Sequence, residues 1–213
     1  ALASKANTRD VDAALAGKAN TSDLYRPVNP SPPYTPYTLD STGDVGRYSS
    51  ITIGANGNPI ISYHDYTNGN LKVAACTDST CTATNTYTLD STDYVGFYTS
   101  IAIGTNGNPI ISYHDYNTSD LKVAACANPN CTSATITTLD TAGDVGFHTS
   151  IAIGANGNPI ISYYDYTNGN LKVVACANPT CTSATITALD TAGDVGRYTS
   201  IAIGTNGSPI ISY

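Results

Sequence analysis

Residues 101–116 read IAIGTNGNPIISYHDY, and residues 51–66 read ITIGANGNPIISYHDY. A third copy, IAIGANGNPIISYYDY, occupies 151–166, and 201–213 open a fourth, IAIGTNGSPIISY. The spacing is 50 residues each time, and repetition at such a period marks a solenoid, a propeller or an array. Within one copy, Ile101 and Ile103 alternate onto one face, which predicts a strand over Tyr98–Gly104. Asn106-Gly107 supplies a hairpin turn, because both residues tolerate positive φ. The second strand, Pro109–Tyr116, opens on a proline, which a strand accepts at its first position. A further turn follows (Thr67-Asn68-Gly69-Asn70 in the first copy), then strands Leu121–Cys126 and Cys131–Leu139. An Asp/Gly loop such as Asp140–Gly146 leads to the next copy.

Four short antiparallel strands at a fixed period describe a β-propeller blade. A lone blade leaves both apolar faces uncovered, so stacking of neighbours is what stabilises it. Parallel β-solenoid coils would not use tight Asn-Gly hairpins in this way. The expected fold is all-β, with tandem four-stranded repeats of propeller type behind a short helical stalk. The expected organisation is a stalk over 1–25, a Pro-rich linker over 26–33 and a β-repeat domain over 34–213. Residues 34–40 match the fourth strand of a preceding unit, giving about three full units with a partial one at each end. A closed ring has 4 to 8 blades, so the repeat domain is expected to be truncated at its C-terminus.

Composition narrows the function classes. The formal net charge is −7, and the nine Lys and Arg are scattered singly, which opposes nucleic-acid binding. All 16 acidic residues are Asp, a turn and cap residue and a poor helix former. No apolar run reaches the roughly 18–20 residues that span a bilayer, so no membrane insertion is expected. The six cysteines fall as Cys76/Cys81, Cys126/Cys131 and Cys176/Cys181, one C-x4-C pair per copy. Each pair flanks the loop between strands three and four, where cross-strand neighbours come within disulfide reach. Zinc would want C-x2-C with further ligands nearby. Three disulfides and an oxidising, extracellular setting are expected.

The N-terminal segment carries its own short repeat. Leu2-Ala-Ser-Lys-Ala-Asn-Thr-Arg-Asp-Val11 recurs as Leu15-Ala-Gly-Lys-Ala-Asn-Thr-Ser-Asp-Leu24. Each Asn-Thr suits a helix N-cap, with an Asp just inside. The apolar stripe is too thin to hold an isolated helix in water, so the segment is expected either to be disordered or to self-associate about an axis. Arg26-Pro-Val-Asn-Pro-Ser-Pro-Pro33 then reads as an extended linker. These tandem KANTxDL units resemble the stalk segments of trimeric bacteriophage tail-fibre proteins. That resemblance implies a homotrimer, a virion location and a receptor-binding head. The 50-residue units look like propeller-type repeats of secreted bacterial proteins, including the sialidase-like group. They lack the Trp of the sialidase Asp-box, because the chain has no Trp.

No Ser/His/Asp constellation, phosphate loop or metal-ligand cluster stands out, so neither catalytic residues nor a cofactor or metal is expected. The repeated Asp40, Asp90, Asp140 and Asp190 read as turn caps rather than calcium ligands. His64 and His114 share a position with Tyr164, and His148 shares one with Tyr48, Tyr98 and Tyr198, so these histidines read as aromatic groups. Topology puts the 2–3 turns and inter-blade loops on one face. That face is expected to carry Tyr66, Tyr116, Tyr166, Asp65, Asp115, Asp165, His64 and His114 as ligand contacts, suited to a cell-surface glycan or receptor. The expected function is a non-enzymatic fibre that recognises such a ligand. The alternative is a secreted or surface-anchored bacterial repeat scaffold or adhesin.

Overall fold

The computed structural model describes residues 36–92 and 94–213. The expected stalk over 1–25 and linker over 26–33 lie outside them. Blade 1 comprises β1 (Val45–Ile53), β2 (Pro59–Asp65), β3 (Asn70–Cys76) and β4 (Thr84–Asp90). Blade 2 comprises β5 (Val95–Ile103), β6 (Pro109–Asp115), β7 (Asp120–Cys126) and β8 (Ala134–Asp140). Blade 3 comprises β9 (Val145–Ile153), β10 (Pro159–Asp165), β11 (Asn170–Cys176) and β12 (Ala184–Asp190). Strands β13 (Ser200–Ile203) and β14 (Pro209–Ser212) open a fourth. Each full blade is a four-stranded antiparallel meander in chain order. Among the described residues the sheets do not close into a ring, and none of these residues is helical.

Two boundaries differ from the sequence reading, for backbone reasons. Strand β5 starts at Val95 and carries a bulge between Phe97 and Ser100, so its N-terminal part still pairs with β6. The fourth strand starts at Ala134 because Cys131 is left-handed (φ 52°). The chain reverses first, with the Cys131 N–H donating to Asn128 O and Ala127 N–H to Ser133 O. Across these loops Cys76–Cys81, Cys126–Cys131 and Cys176–Cys181 are disulfide-bonded, each with Cα atoms 4.9 Å apart.

The core lies between blades. Leu71, Val73, Val95, Ile111, Tyr113 and Ala124 form one buried cluster across the first boundary. Leu121, Val123, Val145, Ile161, Tyr163 and Val174 form its counterpart across the second. Burying each aliphatic side chain of this kind contributes about 1.5–3 kcal/mol, so a blade is held mainly by its neighbours. Gly96 and Gly146 make that approach close: a Cβ on either would sit 2.9 Å from the Cα of Leu71 or Leu121 in the preceding blade.

A polar lock accompanies the apolar contact. Asp140, at the end of β8, accepts the Tyr163 hydroxyl (2.6 Å) and the Lys172 ammonium (2.5 Å) from blade 3. Its other oxygen caps its own turn through Ala142 N–H (3.0 Å). Asp90 takes Tyr113 OH at 2.7 Å, while Lys122 lies 4.0 Å from Asp90 and 2.6 Å from Asp115. Asp40 takes Tyr63 OH (2.7 Å) and Lys72 (2.5 Å). Burial would raise the Asp140 carboxyl, but the Lys172 and Tyr163 hydrogen bonds outweigh it and hold the group below its ordinary range. Removing one member of a buried ion pair typically costs about 3–5 kcal/mol. Asp140→Ala is therefore expected to destabilise the protein by about 3 kcal/mol or more in urea unfolding. Asp190→Ala, at a half-buried position bonded to Tyr213 and to no lysine, should leave the curve nearly unchanged. Equal, small effects from both would contradict the lock.

Candidate functional site

The 2–3 turns and the inter-blade loops share one face, as the meander requires. Tyr66 N–H donates to Asp44 O (2.9 Å), Tyr116 N–H to Tyr94 O (3.0 Å) and Tyr166 N–H to Asp144 O (2.9 Å). Asp44 N–H donates to Thr67 Oγ1 at 2.7 Å, and Asp144 N–H to Thr167 Oγ1 at 2.7 Å. The opposite face carries Asn-Gly turns beside the disulfide loops, where Asn56 approaches Asn130.

The expected contact residues divide into two groups. Tyr66, Tyr116 and Tyr166 are exposed by 43%, 62% and 57%. Each leans on the third residue of its own blade's first strand. The Arg47 guanidinium lies 3.8 Å over the Tyr66 ring, Phe97 stacks on Tyr116 at 5.4 Å, and Phe147 meets Tyr166 at 5.5 Å. These are held platforms rather than free side chains.

Asp65, Asp115, Asp165, His64 and His114 are corrected from surface contacts to interior groups, each at most 2% exposed. Strands β2, β6 and β10 lie mid-sheet with a neighbouring blade over them, so side chains on both strand faces are covered. Asp65 accepts Asn68 N–H (3.0 Å) and the Asn68 amide (2.9 Å), and Asp165 does the same with Asn168. Asp115 accepts Asn117 and Thr118 N–H. His64 and His114 donate from Nδ1 to Val95 O (2.8 Å) and Val145 O (2.7 Å) of the next blade. Phe97 and Phe147 lie over them at 4.2 and 4.4 Å. These residues position the platforms from beneath.

The repeat position shared by Tyr48, Tyr98, His148 and Tyr198 forms an aromatic row, which the sequence reading did not assemble. Tyr48, Tyr98 and His148 sit at the bulge of the first strands and Tyr198 just ahead of β13, with successive ring centroids 4.7, 4.6 and 4.1 Å apart. Their recurrence every 50 residues was a visible signal, but nothing in their type announces that they face one cleft. That cleft, about 280 Å³, is lined by these rings and the hydroxyl residue after each. Among the described residues, no group of three or more His, Cys or Asp side chains is placed to hold a metal ion. No helix among them is long and apolar enough to cross a membrane.

No family model matches the chain. No curated protein matches it in sequence. Among solved structures it is similar to an α-L-arabinofuranosidase from Lactobacillus brevis (11% identity, TM-score 0.48), covering 67% of this chain and 53% of that one. It is also similar to a GH43 endo-arabinanase from Bacillus licheniformis (12% identity, TM-score 0.47), covering 77% and 64% respectively. The chain thus spans about half the length of the first and under two thirds of the second. Both are enzymes, a finding that runs against the expectation of a protein without turnover. The comparisons do not identify a tail-fibre protein.

Burial pushes the His64 and His114 pKa values down from the ordinary histidine range, against the hydrogen bonds to Val95 O and Val145 O. Both histidines are therefore neutral in the fold and take up protons more readily once unfolded. Stability is fully present above the unfolded pKa near 6.5 and falls as pH drops from there toward the folded values. The lock carboxylates act in a lower window, because their depressed values cost stability only below about pH 4. His114 Nε2 faces Asp144 Oδ1 across 4.0 Å, whereas Tyr164, at the same position of the third copy, donates its hydroxyl to Asp194. His114→Tyr is accordingly expected to fold and to reduce the loss of melting temperature between pH 7 and 5. An unchanged pH profile would contradict the assignment.

Proposed function

We propose that this chain is the receptor-binding part of a fibre on a virion or phage-like particle, and that it recognises a cell-surface carbohydrate through its aromatic face. The observation that carries the reading is the repeated platform of Tyr66, Tyr116 and Tyr166, exposed yet each fixed by a stacked partner. A sugar's apolar face can stack on such a ring while its hydroxyls bond to nearby polar groups. Preorganised rings lose little conformational freedom on binding. Equivalent weak sites on successive blades add through multivalency. A net charge of −7 opposes general adhesion to anionic surfaces.

The stalk-like segment over 1–25 is proposed to gather three chains and multiply these sites, because a symmetric axis would bury an apolar stripe too thin for one chain. A second reading, a secreted or surface-anchored bacterial adhesin, is favoured by the three disulfides, which suit an oxidising extracellular setting. Both readings use the same face.

Replacing Tyr66, Tyr116 and Tyr166 together by Ala is expected to abolish binding to cells or glycan arrays while leaving the melting curve nearly unchanged. Undiminished binding would move the site off this face. Light scattering should find the full chain trimeric and a version lacking residues 1–25 monomeric. A monomer in both cases would overturn the fibre assembly.

A further inference from the structure

The first strand of each full blade is distorted at one place. Register jumps from Arg47↔His64 to Ser50↔Ser62 in blade 1, and from Phe97↔His114 to Ser100↔Ser112 in blade 2. The residue that follows Arg47, Phe97, Phe147 or Arg197 is then left-handed, with φ of 53° at Tyr48, 53° at Tyr98, 52° at His148 and 56° at Tyr198. Non-glycine residues rarely adopt this conformation, asparagine, aspartate and histidine less rarely than tyrosine. The rings of this row remain open to solvent: Tyr48 is 41% and Tyr198 76% exposed, while Tyr98 and His148 are half-buried against their neighbours. Backbone strain fixed by its surroundings and repeated at one position suggests function, and bulges often re-aim a side chain beside a site.

The surroundings do fix it. Thr99, Thr149 and Thr199 donate to the carbonyls of Tyr48 (2.8 Å), Tyr98 (3.0 Å) and His148 (3.3 Å) in the preceding blade. Each threonine hydroxyl is also bonded to a buried serine, Ser62, Ser112 or Ser162, at 2.6–2.7 Å. The ring row is therefore set by the blade boundary itself.

The chemistry of the row is neutral and hydroxyl-rich. Burial, with the neighbouring Tyr48, pushes the Tyr98 phenol up to about 12. Burial and then Arg197 push His148 down from its ordinary value. Arg47 and Arg197 at the flanks are paired with Asp44 (2.5 Å) and Asp194 (2.9 Å). Among the described residues no charged side chain lines the cleft, and the nearby Asp144, whose charge bears on Tyr98, opposes an anionic ligand. The row also continues into the platforms: Tyr48 meets Phe97 at 5.5 Å, which stacks on Tyr116, and Tyr98 meets Phe147 at 5.5 Å, which meets Tyr166.

We infer that the Tyr48–Tyr98–His148–Tyr198 row is an inner subsite for a neutral oligosaccharide, holding one end of a chain whose further units lie on the Tyr116 and Tyr166 platforms. The inference rests on the carbohydrate reading above and adds the form of the ligand: extended, uncharged and longer than a single sugar.

The test titrates the full chain with xylo-, manno-, galacto- and gluco-oligosaccharides of increasing length. Tyrosine fluorescence is undisturbed, since the chain has no Trp, and the His148 ring signals are followed by NMR. The wild type should bind longer oligomers about tenfold more tightly than monosaccharides, with the His148 signals moving. The double variant Tyr98→Ala/His148→Ala should lose that length advantage, whereas His148→Tyr, the residue of the other copies, should keep it. If the double variant does not fold, the exposed Tyr48→Ala serves instead and should weaken oligomer binding alone. Unmoved His148 signals and full length dependence in these variants, with binding lost in Tyr116→Ala/Tyr166→Ala, would overturn the subsite and leave the face intact. No binding of any oligomer by the wild type would overturn both.

Discussion

Each blade ends in an aspartate whose carboxylate belongs as much to the next blade as to its own. Asp90 and Asp140 close the fourth strand, cap the turn that follows, and accept the hydroxyl of Tyr113 or Tyr163 from the second strand of the next sheet. A lysine on the third strand completes the cluster. Such a group is costly to bury unless fully bonded, so the cluster tolerates one placement of blade against blade. Apolar contact supplies most of the stabilisation and fixes position loosely. The polar cluster makes it specific. The aromatic face inherits its geometry from that placement, because each His64-type ring donates across the boundary and each Phe97-type ring lies over it.

The repeat, the antiparallel meander and the hairpin positions were legible because local chemistry dictates them. Asn106-Gly107 needs positive φ, and Gly107 has it at 78°; Pro109 starts β6 as its missing N–H requires. The cysteine pairing followed from spacing across a hairpin. The turn-capping role of the repeated aspartates was also legible, as Thr42 N–H and Ala142 N–H bonding to Asp40 and Asp140 show. Their second role, as inter-blade locks, was not, because their partners lie 23 and 32 residues onward.

The candidate site was only half legible, and the reason is burial from both sides. A strand with one wet face places polar residues outward, and on that rule His114 and Asp115 belong at the surface. In β6 every residue from Pro109 to Asp115 is buried, so alternation carries no information about exposure there. Tyr116, one residue later and beyond the sheet, escapes the cover. The inner row failed for a different reason. Tyrosine, which fills this position in three of the four copies, has no preference for left-handed backbone that would announce the bulge, and a threonine of the next blade bonds the carbonyl of Tyr98 and of His148.

The aromatic face therefore depends on the coupling between blades, which a double-mutant cycle on Asp140 and Tyr163 measures most directly. Asp140→Asn, Tyr163→Phe and the pair would be compared by equilibrium unfolding of the full chain. A coupling free energy of about 1–3 kcal/mol is expected for groups that share one buried hydrogen bond. Additive effects, with coupling near zero, would contradict the claim that this carboxylate fixes how one blade sits on the next.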